Sequence, residues 1–490
     1  MQAASFEAAH SRPDEASARI RPLTPVARIF PHRRFLFLQG VPGPFMHTLG
    51  QALMARGHGV SRVNFNGGDR LAWPLLPAIN FTGRISEWPA FLQRVMFDVA
   101  PTDLILHGDC RPLHKVAIEL ANHRGIATHV FEEGYLRPDW ITLEVGGVNG
   151  YSRLPRSVTA YRQAADLLPA QPVATHIPPS VRARARDCIA YGMACVALSP
   201  LFPRYATHRG WSLPHEALGW LKRSLRAASA RRRSHAAIRH AFAAKGGFFV
   251  MPIQMDNDSQ ILCHSDLGGM MHAIRLVVAS FARHAAKDAV LAVKEHPLDN
   301  GVIDWRRVTE TAARDAGIAD RVVLIEDCDL QLLLDRALGM VTVNSTSATF
   351  ALASGVPVIA LGRSVYDLPE LTHQDTLETF WCSPRPPDTH LFNSFRRVLA
   401  HACLVHGDFF TQAGVARAVA GAVPRIEAAR DAAGRINDIL VDATAGKARS
   451  SEVDPISGVN HPLAHKRLGP DGFNPQLSRP DGLSRAMPRP

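Results

Sequence analysis

Phe248-Phe249-Val250-Met251-Pro252-Ile253-Gln254-Met255-Asp256-Asn257-Asp258-Ser259-Gln260 is an apolar run that stops in a cluster of amides and acids. Strand-forming residues followed at once by polar ones describe a strand whose carboxyl end carries chemistry, the habit of an open α/β sheet. The stretch also opens the second half of a 490-residue chain, a length that a single core does not serve. In both directions from it the same pattern recurs.

Toward the N-terminus, Phe35-Leu36-Phe37-Leu38 is a short apolar run that ends at Gln39-Gly40, and Phe45 to Arg56 has apolar residues at helical spacing before Gly57-His58-Gly59. Val60 to Phe65 is a second strand ending in Asn66-Gly67-Gly68-Asp69. Glycine loops after both strands put backbone N–H groups within reach of a ligand, but they lack the G-x-G-x-x-G order of a dinucleotide site. Asp103 to Leu106 exits into His107-Gly108-Asp109-Cys110-Arg111-Pro112, and Ile126 to Phe131 delivers Glu132-Glu133-Gly134-Tyr135-Leu136-Arg137-Pro138. Toward the C-terminus, Ala289–Val293 leads into Lys294-Glu295-His296-Pro297, Val322–Ile325 follows, and Gly339–Val343 leads into Asn344-Ser345-Thr346-Ser347. Val356 to Leu361 is one more strand. The expected fold class is α/β: parallel, doubly wound, Rossmann-like sheets, one in each half.

The division read from this pattern is a tail over 1–30, an N-terminal domain over 31–175, a helical basic connection over 176–245, a C-terminal domain over 246–430, and a largely disordered tail over 431–490. The connection holds the densest basic run, Lys222-Arg223, Arg226, Arg231-Arg232-Arg233 and Arg239. With 55 Lys and Arg against 44 Asp and Glu the formal charge is +11, which favours anionic partners. The helix at 222–239 suits a peripheral membrane face or a solvated one. Nucleic acid is not expected, because no aromatic stacking pattern accompanies the charge. Seven scattered cysteines without a C-x-x-C pair fit a reducing compartment and no disulfide framework. No signal peptide or run of about 18 apolar residues is evident, so a cytoplasmic protein with peripheral membrane contact is expected.

Each polar cluster has a functional and a plain reading. Lys294, His296 and Pro297 supply an ammonium and an imidazole beside a rigid turn, suited to a phosphate, or they are only a turn. Ser345, Thr346 and Ser347 stand between strand and helix, as an anion site or as an N-cap. Glu132 and Glu133 follow a buried strand, where two acids are costly unless solvated, paired or used; a structural pair with Arg137 is the alternative. Asp258 is an acid at the centre of a cleft or a turn acid. His58, His107 and His264 lack a second ligand at metal-binding spacing and are assigned to turns or core, so no metal is expected.

Five ordered motifs resemble the capsule polysaccharide biosynthesis proteins: Phe37-Leu38-Gln39-Gly40-x-x-Gly43-Pro44-Phe45, Asn64-Phe65-Asn66-Gly67-Gly68-Asp69, His107 to Pro112, Phe131 to Pro138, and Lys294-x-His296-Pro297. They resemble in particular the branch with the retaining β-Kdo transferase that starts a capsule lipid linker. The resemblance spans about 35 to 375. It implies a GT-B enzyme with two Rossmann-like domains facing across a cleft, CMP-Kdo as donor substrate, no further cofactor, and a phosphatidylglycerol-type anionic lipid as acceptor. Placement on the inner face of the inner membrane, beside a capsule biosynthesis or export complex, comes with it. It further implies Asp258 as the catalytic carboxylate and Glu132, with Glu133, as the acids assisting proton transfer. Gln254, Lys294, His296, Pro297, Ser345, Thr346 and Ser347 fall on the donor side; Gln39, Gly40, Asp109, Arg111 and Arg137 on the acceptor side. Ala348 and the Asp367–Leu371 stretch lack glycines that the pattern leads one to expect. The competing expectations are a transferase extending a surface glycan from another nucleotide sugar, and a non-catalytic scaffold of a capsule assembly complex.

Overall fold

In the computed structural model, which describes residues 32–169, 175–207, 211, 213–255, 259–428 and 434–440, twelve strands form two sheets. The first half supplies β1 (Arg34–Phe37), β2 (Gly59–Asn64), β3 (Ala78–Asn80), β4 (Asp103–His107), β5 (Ala127–Glu133) and β6 (Trp140–Val145). The second supplies β7 (Phe248–Pro252), β8 (Val290–Lys294), β9 (Val322–Ile325), β10 (Gly339–Thr342), β11 (Val358–Ala360) and β12 (Leu404–His406). The orders are β12-β6-β5-β4-β1-β2-β3 and β11-β10-β7-β8-β9. In each, the run of parallel strands reverses direction of winding beside the first strand of its half, between β1 and β4 and between β7 and β10. Those switch points are where an open α/β sheet leaves a crevice for ligands. Two such sheets, with the chain crossing back at its end, make up the GT-B architecture.

Alternation along β1 shows why the sheet is covered on both faces. Phe35 and Phe37 pack with Phe45 and Phe131, whereas Leu36 and Leu38 pack with Trp88 and Leu92. All four β1-region side chains are fully buried, the signature of a strand between two helical layers.

Three features depart from the expected organisation. The first sheet is not wholly parallel: β6 runs antiparallel to β5 and β12 antiparallel to β6. Gly134 to Asp139 is the connection of a β5–β6 hairpin, in which Glu132 lies opposite Thr142 and Glu133 opposite Ile141. Second, the domain limits shift. The helix Val158–Leu167, assigned to the N-terminal domain, packs on the helix Thr389–Ala402 of the second half, with Tyr161 and Phe395 ring centroids 5.2 Å apart. Conversely β12 and the helix Gln412–Ala428, assigned to the C-terminal domain, join the first sheet and the helix Phe45–Ala55. Third, the basic connection is two helices, Val181–Ala197 and Leu213–Ala243, and part of its charge is used internally. Arg233 pairs with Glu326 at 2.8 Å and Arg231 with Asp327 at 3.3 Å. From Arg33 onward the described residues form one compact unit.

Candidate functional site

The two switch points are each tied by a buried polar network. At the first, Arg111 donates to Oε1 of Gln39 at 2.9 Å and to the carbonyl of Gly40 at 3.3 Å. The Gln39 amide in turn donates to Asp69 at 3.3 Å and to the Tyr191 hydroxyl at 2.9 Å. Gln39, Gly40 and Arg111 are thus brought together, with Asp69 and Tyr191 as partners that spacing alone did not reveal. At the second, Gln254 donates to Oδ1 of Asn344 at 3.0 Å and accepts from the Asn344 backbone N–H at 3.2 Å. Both ends of the Gln254 amide are engaged, so this residue joins the exits of β7 and β10. Asp109 stands at the exit of β4, facing the second half. Buried, it accepts from the N–H of Val148 at 2.9 Å, and burial pushes its carboxyl above the usual range.

His264, assigned to core, does have companions in space. Its Nε2 lies 3.3 Å from Cys110 Sγ and 3.9 Å from Asp109 Oδ1, and the three donor atoms lie within 4.8 Å of one another. A histidine from the second half thereby meets the β4 exit of the first, a contact that no local spacing could predict. Burial holds His264 at about 4, so it is neutral at physiological pH.

The acid pair stands at the end of β5, half-buried. Glu132 Oε1 accepts from the Glu133 N–H at 2.9 Å and lies 3.9 Å from His107 Nε2. The partner of Glu133 is Arg184, 3.1 Å away on the helix Val181–Ala197, whereas Arg137, the partner in the alternative reading, donates to the carbonyl of Gly134 at 3.4 Å. Asp258 lies outside the described residues.

On the second half, β7 and β8 end level, Pro252 opposite Lys294. Lys294 is buried and donates to the carbonyl of Glu295 at 3.2 Å; burial lowers its pKa. The Leu298 N–H donates to Nδ1 of His296 at 3.1 Å, which leaves the imidazole proton on Nε2 as a donor. Burial, then Arg137, Lys294, Arg223 and Arg184, hold His296 at about 4. It therefore offers a neutral N–H, not a charge, amid cations from both halves. Pro297 is exposed beside it. Ser345 and Ser347 hydroxyls lie 2.8 Å apart, and Ser345 Oγ accepts from the Ser347 N–H at 3.2 Å. Thr346 accepts through its carbonyl from the Thr349 hydroxyl at 2.8 Å. Ala348 is fully buried, and Glu370 takes φ 66°, the left-handed region in which glycine was expected.

A two-sheet GT-B protein with cations and carboxylates gathered where its halves meet is glycosyltransferase-like in architecture. The profile of the family described as capsule polysaccharide biosynthesis protein matches residues 102–410. Over 383 residues, 77% of this chain and 91% of the relative, the chain is 34% identical to capsule polysaccharide modification protein LipB of Neisseria meningitidis serogroup B. It is 33% identical over 368 residues to capsule polysaccharide export protein KpsS of Escherichia coli, covering 75% of this chain and 94% of that one. A solved structure, Thermosulfurimonas dismutans KpsC, beta Kdo 2,7 transferase, aligns with 80% of this chain and 99% of its own at 13% identity and a TM-score of 0.37. The chain belongs to the capsule polysaccharide biosynthesis protein family.

Proposed function

We propose that this protein is a retaining glycosyltransferase that moves Kdo from CMP-Kdo to a phosphatidylglycerol-type lipid in capsule biosynthesis, at the cytoplasmic face of the inner membrane. The observation that carries this reading is the gathering of cations beside His296: Arg223 of the basic connection donates to its carbonyl at 3.3 Å, and Arg137 of the first half, Lys294 of the second, Arg223 and Arg184 together lower its pKa. Arg184 also holds Glu133, so the cation cluster and the acid pair share one site. A CMP-activated 2-keto acid sugar carries a phosphodiester and a carboxylate. A ring of cations with a neutral N–H donor among them suits such a ligand better than a neutral sugar.

In this reading a carboxylate of Asp258 attacks the anomeric carbon as its bond to the phosphate oxygen breaks, and CMP leaves with the electron pair. The acceptor hydroxyl then displaces Asp258 while its proton passes to Glu132. Two displacements retain configuration. The Lys294 ammonium and the His296 N–H would hold the departing phosphate, which needs no strong acid. The role of Asp258 rests on its motif.

Mass spectrometry of the purified protein with CMP-Kdo and a short-chain phosphatidylglycerol should detect CMP release and a glycolipid. Asp258→Asn should lower the rate by about a thousandfold or more, and an undiminished rate would remove Asp258 from the chemistry. A panel of other nucleotide sugars separates this donor from the alternatives; turnover with none of them points to the scaffold reading.

A further inference from the structure

The helix Val181–Ala197 has two unlike faces. Its inner face closes the site: Arg184 pairs with Glu133, and Tyr191 bonds Gln39 and Asp69. On its outer face Val181, Ile189, Met193 and Val196 are 71%, 62%, 67% and 62% exposed. With the exposed Ala185 and Ala197 they make an apolar stripe at helical spacing along the whole element. Beside it lies a groove of about 360 Å³ lined by Pro44, Leu71, Ala72, Pro74 and Ala190 among others. The adjoining loop holds Leu75 at φ 62° with its side chain fully exposed. That backbone turn is uncommon for leucine, and it adds the Leu75 side chain to the exposed apolar surface of this face. Arg70, Arg182 and Arg186 are exposed around this face, where Asp187, paired with Arg186 at 2.8 Å, is the nearby acid.

Resting on the lipid-acceptor reading above, we propose that this face docks the protein on an anionic phospholipid bilayer. Leu75 and the stripe enter the interface, and the arginines meet lipid phosphates. Apolar insertion ringed by arginine is the chemistry of an in-plane amphipathic helix. It is a separate surface from the long basic helix Leu213–Ala243, of which Arg231 and Arg233 pair with Asp327 and Glu326. Docking this way brings the acid pair, on the other side of the same helix, to the level of the lipid headgroups.

The test is flotation of the full-length protein with vesicles of phosphatidylglycerol and phosphatidylcholine, against phosphatidylcholine alone. A triple variant, Leu75→Ser, Ile189→Gln and Met193→Gln, should lose binding about tenfold or more, while Leu225→Gln on the long helix should float as wild type does. All four side chains are exposed, and circular dichroism checks that folding is retained. Equal flotation of wild type and triple variant overturns the proposal, as does a triple variant that floats normally but loses a self-association of the wild type. With CMP-Kdo, the triple variant should still use a water-soluble short-chain phosphatidylglycerol and fail with the vesicle-embedded lipid. Lack of turnover by the wild type with either acceptor would sink the transferase reading alone, leaving flotation to decide docking.

Discussion

Arg184 touches both sides of the site: it pairs with Glu133 at 3.1 Å and contributes to the depressed pKa of His296. Its removal therefore has an electrostatic consequence in the other half of the protein. In Arg184→Ala, the His296 imidazole should titrate above its value of about 4, read from histidine ring resonances in a pH series; an unmoved titration would mean that the two halves do not share one field. The sign for stability follows from linkage. The unfolded histidine takes its proton near 6.5 and the folded one near 4, so the unfolded state binds more protons in that window. His296 thus subtracts stability as pH falls from 6.5 to about 4, and the variant should narrow that loss. Sequence alone presented Lys294, His296, Glu132 and Glu133 as strand-exit residues, because each follows an apolar run. It could not present Arg184, which sits in the first turn of its helix between Arg182 and Arg186 and acquires its role only through packing. Nor could it show that both ends of the Gln254 amide are occupied by Asn344, 90 positions away.

The helix Val181–Ala197 is positioned by glycine. A Cβ on Gly68 would lie 2.6 Å from the Tyr191 ring, and one on Gly67 would lie 2.1 Å from the Ala194 carbonyl. The short helix Gly67–Leu71, capped by Asn66, and the helix Val181–Ala197 can meet this closely only because both side chains are absent. Gly68→Ala should cost about 1–3 kcal/mol as overpacking, seen as a lower midpoint in thermal or urea unfolding. Substitution without such a loss would show that the helix is not seated on this turn. The Asn-Gly-Gly-Asp turn was legible as a break after a strand, but the helix that covers it lies more than a hundred residues on. The β5–β6 hairpin was missed for a related reason. Gly134 to Pro138 combined motif residues with turn residues, and the alternating strand Trp140–Val145 follows almost directly on them.

At the scale of the molecule, the two halves are interwoven by exchange of segments. Tyr161, Ala164 and Ala165 of the Val158–Leu167 helix belong to the core that contains Phe248 and Val250. Val415, Ala418, Ala422 and Ile426 belong to the one that contains Phe35 and Phe45. Buried Glu427 accepts from Arg56 at 2.8 Å and lies 3.1 Å from His58 Nε2, fastening the late helix to the first β-α-β unit. A chain ending at residue 403 would lack β12 and this helix, leaving Val405, Val419 and Ile426 absent from the first core. It should lose cooperative unfolding of the N-terminal half as well as of the missing piece, read by hydrogen exchange; native protection in β1 and β4 of that fragment would contradict the argument. The alternation of apolar strands and helices made the two sheets legible. Their exchange of segments was not, because short runs such as Leu404–His406 carry no mark of the sheet they join.

That exchange also sets a timetable for synthesis. The edge of β6 is completed by β12, whose first residue follows Val145 by 404 − 145 = 259 positions. At typical translation rates the ribosome delivers the partner strand roughly 10–50 s after β6 is made. For that interval the nascent chain carries an open, apolar strand edge of the kind that invites pairing with other chains. The burden of keeping this protein soluble thus falls on the unfinished polypeptide, before its two halves have closed.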